Sequence, residues 1–427
     1  MRRNDMDAKL IYKTKSVCPH CLRTVYADIV ERADGIYMDK ACPEHGQFGT
    51  LIWAGNEREY LRWLDFGCID ISTLPRTEEA VERALAGAAF TDCACQKPAS
   101  AALMTTNRCN MGCPVCFTRD KKEGLHEPDL AECERLLRLY RETAGEDAAI
   151  EFCGGEPTVR EDIFELAALA RKLGFGLIQL NTNGVKLAES RGFCEKLRES
   201  GVTTAYLGFD ALTEQPYYAK YGKPMLETKL RAVENAAAAG LAIVLVCCVI
   251  PGENDGELGA IVEFAREHMP AVKGVYFQPI SYFGIYPEDN IRRITIPDVI
   301  RGLAAQHPDL HVEDFGPGAY DHAQCSFNAA YMQDKSGKLR ALTRFSRRRP
   351  EPDAVHRLRS NLLHSWTPSE RRTLTIGGMA FQDAWNIDLM RVRRCSIQII
   401  QKDGALVPLC SKYLSGCGGA KLFPGIG

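Results

Sequence analysis

The chain has 427 residues, of which 53 are basic and 55 acidic, for a formal net charge of −2; 45% are hydrophobic and 25% charged. These fractions are those of a soluble globular protein, and the near-neutral balance excludes any global attraction to nucleic acid or to an anionic membrane. No apolar run reaches the roughly 18 residues of a membrane span, and the polar start Met1-Arg2-Arg3-Asn4-Asp5 lacks a signal-peptide core, which predicts a cytoplasmic protein.

In chain order, the first feature is a pair of knuckles, Cys18-Pro19-His20-Cys21 and Cys42-Pro43-Glu44-His45-Gly46, flanking a strand-rich stretch at 24–38. Two knuckles across a hairpin form a mononuclear metal site, either a zinc ribbon or rubredoxin-like iron. Cys18, Cys21 and Cys42 are the expected ligands, with His45 the local candidate for the fourth. Eighteen Cys in all, without secretory signals, point to metal binding in a reducing compartment.

From residue 101 the chain alternates short apolar runs with amphipathic segments. Strands are predicted at 101–106, 148–153, 175–181, 203–209, 242–250 and 272–278. Helices are predicted at 129–143, 162–173, 187–200, 225–239 and 257–268, where apolar residues recur at three- and four-residue spacing. Continuous apolar strands joined by helices suit a parallel sheet covered on both faces. The fold class expected is α/β, a partial (β/α)6 TIM-like barrel whose reactive groups gather at the C-terminal strand ends. The expected division is 1–60 metal module, 61–100 linker, 101–290 barrel and 291–427 C-terminal covering region.

Three motifs fall at those strand ends. Cys109, Cys113 and Cys116 are spaced C-x3-C-x2-C, so one short loop can grip three irons of a [4Fe-4S] cluster and leave the fourth iron open. One βα unit later comes Glu151-Phe152-Cys153-Gly154-Gly155-Glu156-Pro157. Its glycines permit close backbone approach to a ligand, and Glu156 offers an acceptor for an ammonium group. Asn181 and Asn183 follow in Asn-Thr-Asn-Gly, which is also a plain turn signal. Asp210 ends the fourth strand, as a ligand contact or a helix N-cap, and Gln278 ends the sixth.

With these motifs the chain resembles the radical S-adenosylmethionine (SAM) superfamily. The resemblance implies that Cys109, Cys113 and Cys116 hold the cluster, that its open iron chelates SAM, and that Gly154, Gly155 and Glu156 line the SAM site, with Phe117 near adenine. Asn181, Asn183 and Asp210 complete the expected cofactor contacts. The implied chemistry is reductive cleavage of SAM to a 5′-deoxyadenosyl radical that abstracts hydrogen from an unactivated carbon, with a flavodoxin- or ferredoxin-type reductant as partner.

Further cysteines lie at both flanks of the barrel: Cys68, Cys93 and Cys95 before it, and Cys325, Cys395, Cys410 and Cys417 beyond it. Cys395 and Cys410 bracket a hairpin with Asp403-Gly404 as its turn. Together with the knuckled module and the segment Phe381-Gln382-Asp383-Ala384-Trp385, they make the chain similar to the tetraether lipid synthase branch, which also includes proteins described as pterin methyltransferases. That resemblance implies one or two auxiliary Fe–S clusters ligated by Cys93, Cys95, Cys325, Cys395, Cys410 and Cys417. It also implies C–C bond formation on a lipid-like substrate, with peripheral membrane contact; methyl transfer, peptide modification and a non-catalytic electron-transfer role are the alternatives. Arginines between 344 and 372 would suit a phosphate head group or form a solvated face.

Overall fold

The computed structural model describes residues 8–67, 69–86, 100–114, 116–118, 124–145, 148–284, 293–318, 322–344, 365–417, 419 and 421–422. It contains two sheets. The first is an antiparallel meander of β1 (Lys9–Val17), β2 (Thr24–Arg32), β3 (Gly35–Cys42) and β4 (Gly46–Trp53). Sequence reading placed strands only around 24–38. The flanking strand β1 is half-buried in alternation, and its three lysines and Tyr12 conceal the period.

The second sheet is built on β5 (Ser100–Thr106), β6 (Ala149–Gly154), β7 (Ile178–Thr182), β8 (Thr204–Gly208), β9 (Ala242–Val249) and β10 (Val272–Pro279), each parallel to the next. Every residue of β5 is buried, as a strand covered on both faces requires. The crossovers carry helices Leu130–Ala144, Ile163–Lys172, Arg191–Ser200, Leu226–Ala238 and Leu258–Glu267. The helix predicted at 187–200 is broken, because Ser190 leaves helical geometry and caps the Phe193 N–H at 3.3 Å.

The described strands beyond 291 join the same sheet. Its β13 (Thr373–Met379) joins β10 in parallel, and β14 (Ile397–Ile400) joins β5 in parallel. The parallel run therefore has eight strands, extended by antiparallel β11 (Ser326–Gln333) and β12 (Leu339–Ala341) on one side and β15 (Leu406–Pro408) on the other. The predicted hairpin is present, with Gly404 turning at φ +86°. The first sheet docks on this extension: Thr14 Oγ1 donates to Asp388 at 2.6 Å, and Lys40 Nζ donates to the Ala384 carbonyl at 2.7 Å. Among the described residues no helix is long and apolar enough to cross a membrane.

Candidate functional site

The cysteine loop leaves the end of β5 on a clamped base. Arg108 makes a two-pronged ion pair with Glu127, both arms 2.8 Å, and Asn107 hydrogen-bonds the backbone of Gly124 and His126. From this base Cys109, Cys113, Cys116 and Phe117 face one cavity of about 430 Å³ at the mouth of the barrel, which Gly154, Gly155 and Glu156 also line. Phe117 packs edge-on against Tyr413 at 5.0 Å.

The glycines serve a contact that spacing alone did not reveal. A side chain at Gly155 would place its Cβ 2.3 Å from the Arg108 carbonyl oxygen, and one at Gly154 would lie 2.1 Å from that of Thr106. The Gly155 N–H donates to Thr106 at 2.8 Å and the Glu156 N–H to Arg108 at 2.9 Å. The turn is thus zipped to the backbone that carries Cys109. Close approach here is first to the cysteine loop. Glu156 is buried, and its carboxylate accepts from Thr158 Oγ1 (2.6 Å), Thr182 Oγ1 (2.8 Å), the Thr158 N–H (3.2 Å) and the Asn183 N–H (2.7 Å). Among the described residues only the Asn183 N–H reaches Oε2, which leaves that oxygen a lone pair for another donor.

The two asparagines part company. Asn183 touches the cysteine loop through Asn110 at 2.7 Å. Asn181 belongs to the cavity floor, where its Nδ2 donates to Glu151 at 3.2 Å and to Cys153 Sγ at 2.7 Å, and its Oδ1 accepts from Gln179 at 2.8 Å. Ser100 Oγ donates to the other oxygen of Glu151. Gln278 faces the same cavity and donates to Tyr206 OH at 3.4 Å.

Asp210 is not among the residues that line this cavity. It is fully buried behind the wall, and its carboxylate is taken by Lys220 Nζ (2.7 Å), Tyr221 OH (2.7 Å) and the Cys248 N–H (2.9 Å). Nor does it cap a helix, since the next one, Gln215–Tyr221, begins after Glu214. Asp210 instead holds Lys220 and Tyr221, which do line the cavity. Sequence reading missed both because their helix is a single short segment of seven residues with a proline in its first turn. Glu151 was also missed as a site residue: its place in an apolar strand was visible, but not which face it takes.

In the small sheet, ligand atoms of Cys18, Cys21, Cys42 and His45 lie within 4.8 Å of one another. Cys18 Sγ is 3.6 Å and Cys42 Sγ 3.4 Å from His45 Nδ1, and Cys21 Sγ is 3.9 Å from Cys42 Sγ. A tetrahedron with metal–sulfur bonds of about 2.3 Å and a metal–nitrogen bond of about 2.0 Å has edges of about 3.5–3.8 Å. Three thiols and one imidazole thus fit a tetrahedral zinc site, with His45 as fourth ligand. Hydrogen bonding to His45 already draws the Cys42 thiol down to about 6.

Three of the flanking cysteines converge. Arg391, buried, donates to Cys325 Sγ at 2.5 Å and points a second arm at Cys410 Sγ 3.9 Å away. Cys325, Cys395 and Cys410 together hold its guanidinium in the charged form against the cost of burial. Cys417 lies beside the first knuckle, its N–H donating to the Pro19 carbonyl at 2.8 Å. Cys68, Cys93, Cys95 and most of the arginine-rich segment lie outside the described residues. Of the arginines that are described, Arg372 donates to the Met269 carbonyl at 2.9 Å and to Gln333.

These features define a class: a parallel-barrel enzyme with a three-cysteine loop zipped to a glycine turn, preceded by a metal ribbon. Residues 103–265 match the Radical SAM superfamily model, and residues 10–54 match that of the HMPTM N-terminal zinc ribbon domain. The chain is 31% identical, over 93% of its own length and 92% of the relative's, to a 7,8-dihydro-6-hydroxymethylpterin dimethyltransferase of Methanocaldococcus jannaschii. It is 30% identical to a probable GTP 3′,8-cyclase of Methanopyrus kandleri, over 49% of this chain and 65% of that one. Among solved structures, the FeFe-hydrogenase maturase HydG from Carboxydothermus hydrogenoformans is similar at 15% identity and TM-score 0.40, over 57% of this chain and 60% of that one. The chain belongs to the radical SAM superfamily and carries a zinc ribbon ahead of the barrel. It is accordingly a radical SAM enzyme, with a [4Fe-4S] cluster and SAM as cofactors and a further metal in the ribbon.

Proposed function

We propose that this enzyme transfers a methyl group to an unactivated carbon of a small nitrogen heterocycle of the pterin kind. The observation that carries the reading is the polar floor of Glu151, Gln179 and Asn181 in the cavity that the three cysteines face. The similarity to a pterin dimethyltransferase along 93% of the chain supports it. In this reading Cys109, Cys113 and Cys116 hold the cluster, while Phe117, Gly154, Gly155, Glu156 and Asn183 surround SAM. The open lone pair of Glu156 suits the SAM ammonium, and Lys220, held by Asp210, suits its carboxylate. Bound there and reduced by a flavodoxin- or ferredoxin-type donor, the cluster would supply the electron that splits SAM into methionine and a 5′-deoxyadenosyl radical.

Apolar walls, including Val246, Ile280, Ile397 and Ile399, favour a second reading, C–C bond formation on a lipid-like substrate. Glu151 weighs against it, because a carboxylate left facing hydrocarbon is strongly disfavoured. Cys325, Cys395 and Cys410 are assigned to one auxiliary cluster, with the Arg391 cation offsetting the thiolate charge.

The test is anaerobic reconstitution with iron and sulfide, dithionite reduction, and incubation with methyl-deuterated SAM and 7,8-dihydro-6-hydroxymethylpterin. Deuterium in the pterin, with 5′-deoxyadenosine formation that disappears in Cys113→Ala, is the expected outcome. SAM cleavage with no label in the pterin, but new C–C bonds in added lipid, would overturn methyl transfer in favour of the second reading.

A further inference from the structure

The cavity floor holds a carboxyl group that no described basic residue pairs with. Glu151 sits in β6 with its side chain turned into the barrel, where Ser100 and Asn181 each donate to one of its oxygens. Among the described residues no Lys, Arg or His forms an ion pair with it, and burial pushes its carboxyl up from the ordinary carboxylate range against those two hydrogen bonds. Two donors use half of the four acceptor positions of a carboxylate. The rest face a cavity whose other lining is mainly apolar. Such a group is costly in an empty site and is stabilised when a bound molecule supplies donors.

The walls nearby limit what that molecule is. Tyr206, Tyr276 and Trp366 line the cavity as a cluster of three rings, with centroids 5.9, 6.0 and 6.2 Å apart. Aromatic faces favour a flat ring system. A flat ring with two adjacent N–H donors on one edge satisfies both features, because such a pair is spaced like the oxygens of a carboxylate. Resting on the heterocycle reading above, we infer that Glu151 is the specificity-determining residue that receives the amino-pyrimidinone edge of the substrate, with Ser100 and Asn181 fixing its carboxylate plane. Gln179, one hydrogen bond behind Asn181 at 2.8 Å, fixes the orientation of that amide.

The discriminating probe is a pair of compounds that differ at one atom group. 7,8-Dihydro-6-hydroxymethylpterin carries the 2-amino donor; the corresponding lumazine has oxygen there, an acceptor that would oppose the carboxylate. Binding of each to the reconstituted full-length protein with SAM present is measured anaerobically by fluorescence titration. The native protein should prefer the pterin by about 100-fold, the discrimination expected of a charge-assisted hydrogen-bond pair. Glu151→Gln should bring the two affinities to within about threefold, and Glu151→Asp should retain a preference. Equal binding of both compounds by the native protein overturns the inference without any variant. So does a Glu151→Gln protein, with native circular dichroism and iron content, that keeps the full preference. If the native protein binds neither compound yet still cleaves SAM, the heterocycle reading has failed and this inference falls with it.

Discussion

A methyl group at Gly155 would meet a carbonyl oxygen 2.3 Å away, and that carbonyl belongs to the residue before Cys109. Backbone on both sides leaves nothing flexible to yield. Gly155→Ala should therefore cost about 1–3 kcal/mol in urea unfolding, the range for overpacking that forces backbone shifts. It should also sharply reduce the iron retained after reconstitution, because the strain falls on the cysteine loop itself. Glu151 shows the opposite pattern, a residue held against stability. Its folded-state carboxyl is raised, so the folded chain binds that proton more tightly than the unfolded chain. Its contribution is fully present below its unfolded pKa, near 4.5, and is lost as pH rises through the higher folded value. Glu151→Gln should melt higher than the native ligand-free protein at neutral pH and lose that downward slope, as followed by thermal melts across pH. A stabilising change that removes substrate discrimination is the trade expected at a functional site.

At the scale of elements, the ribbon sheet buries Ile11, Ile29, Ile36 and Met38, but residues 43–47 of its second knuckle are exposed and lean on the ligand set Cys18, Cys21, Cys42 and His45. Chelation with a strong zinc chelator, or Cys42→Ser, should release about one zinc per chain. It should also expose residues 18–46 to protease before the barrel is cut, as limited proteolysis with mass spectrometry would show. The knuckles were legible because cysteine spacing at a tight turn has few other uses. His45 was legible only as a neighbour, since its place at 3.4 Å from Cys42 depends on the fold of the turn. The six central strands and their helices were likewise legible, because a strand buried on both faces is a continuous apolar run and its crossover helix keeps a 3.6-residue period. What stayed hidden has physical reasons too. Tertiary contact overrides local pattern at Ser190, and the inward face of Glu151 depends on β6 register, which composition does not encode. The roles of Asp210 and Lys220 rest on a helix too short to show a period.

For the whole molecule, the stretches around Cys325, Cys395 and Cys410 meet at one guanidinium. If they share a cluster, reconstituted protein should hold about four irons per chain beyond those of the radical SAM cluster, alongside the ribbon zinc. Changing all three to Ser should remove that increment while leaving SAM-cluster iron in place, read by iron analysis and electron paramagnetic resonance.

The sheet order also imposes a timetable on synthesis. Strand β5 emerges from the ribosome nearly 300 residues before β14, its parallel partner at Ser100–Ala102. Until then one edge of the nascent barrel presents unpaired backbone and the side chains of Ala101, Ala102, Leu103 and Met104, a condition that invites aggregation or chaperone capture. The same interval leaves the cysteine loop approachable, because Tyr413, which packs on Phe117, has not yet been made. Cluster insertion during that interval and strand completion after it would make the late segment the seal on an already loaded barrel.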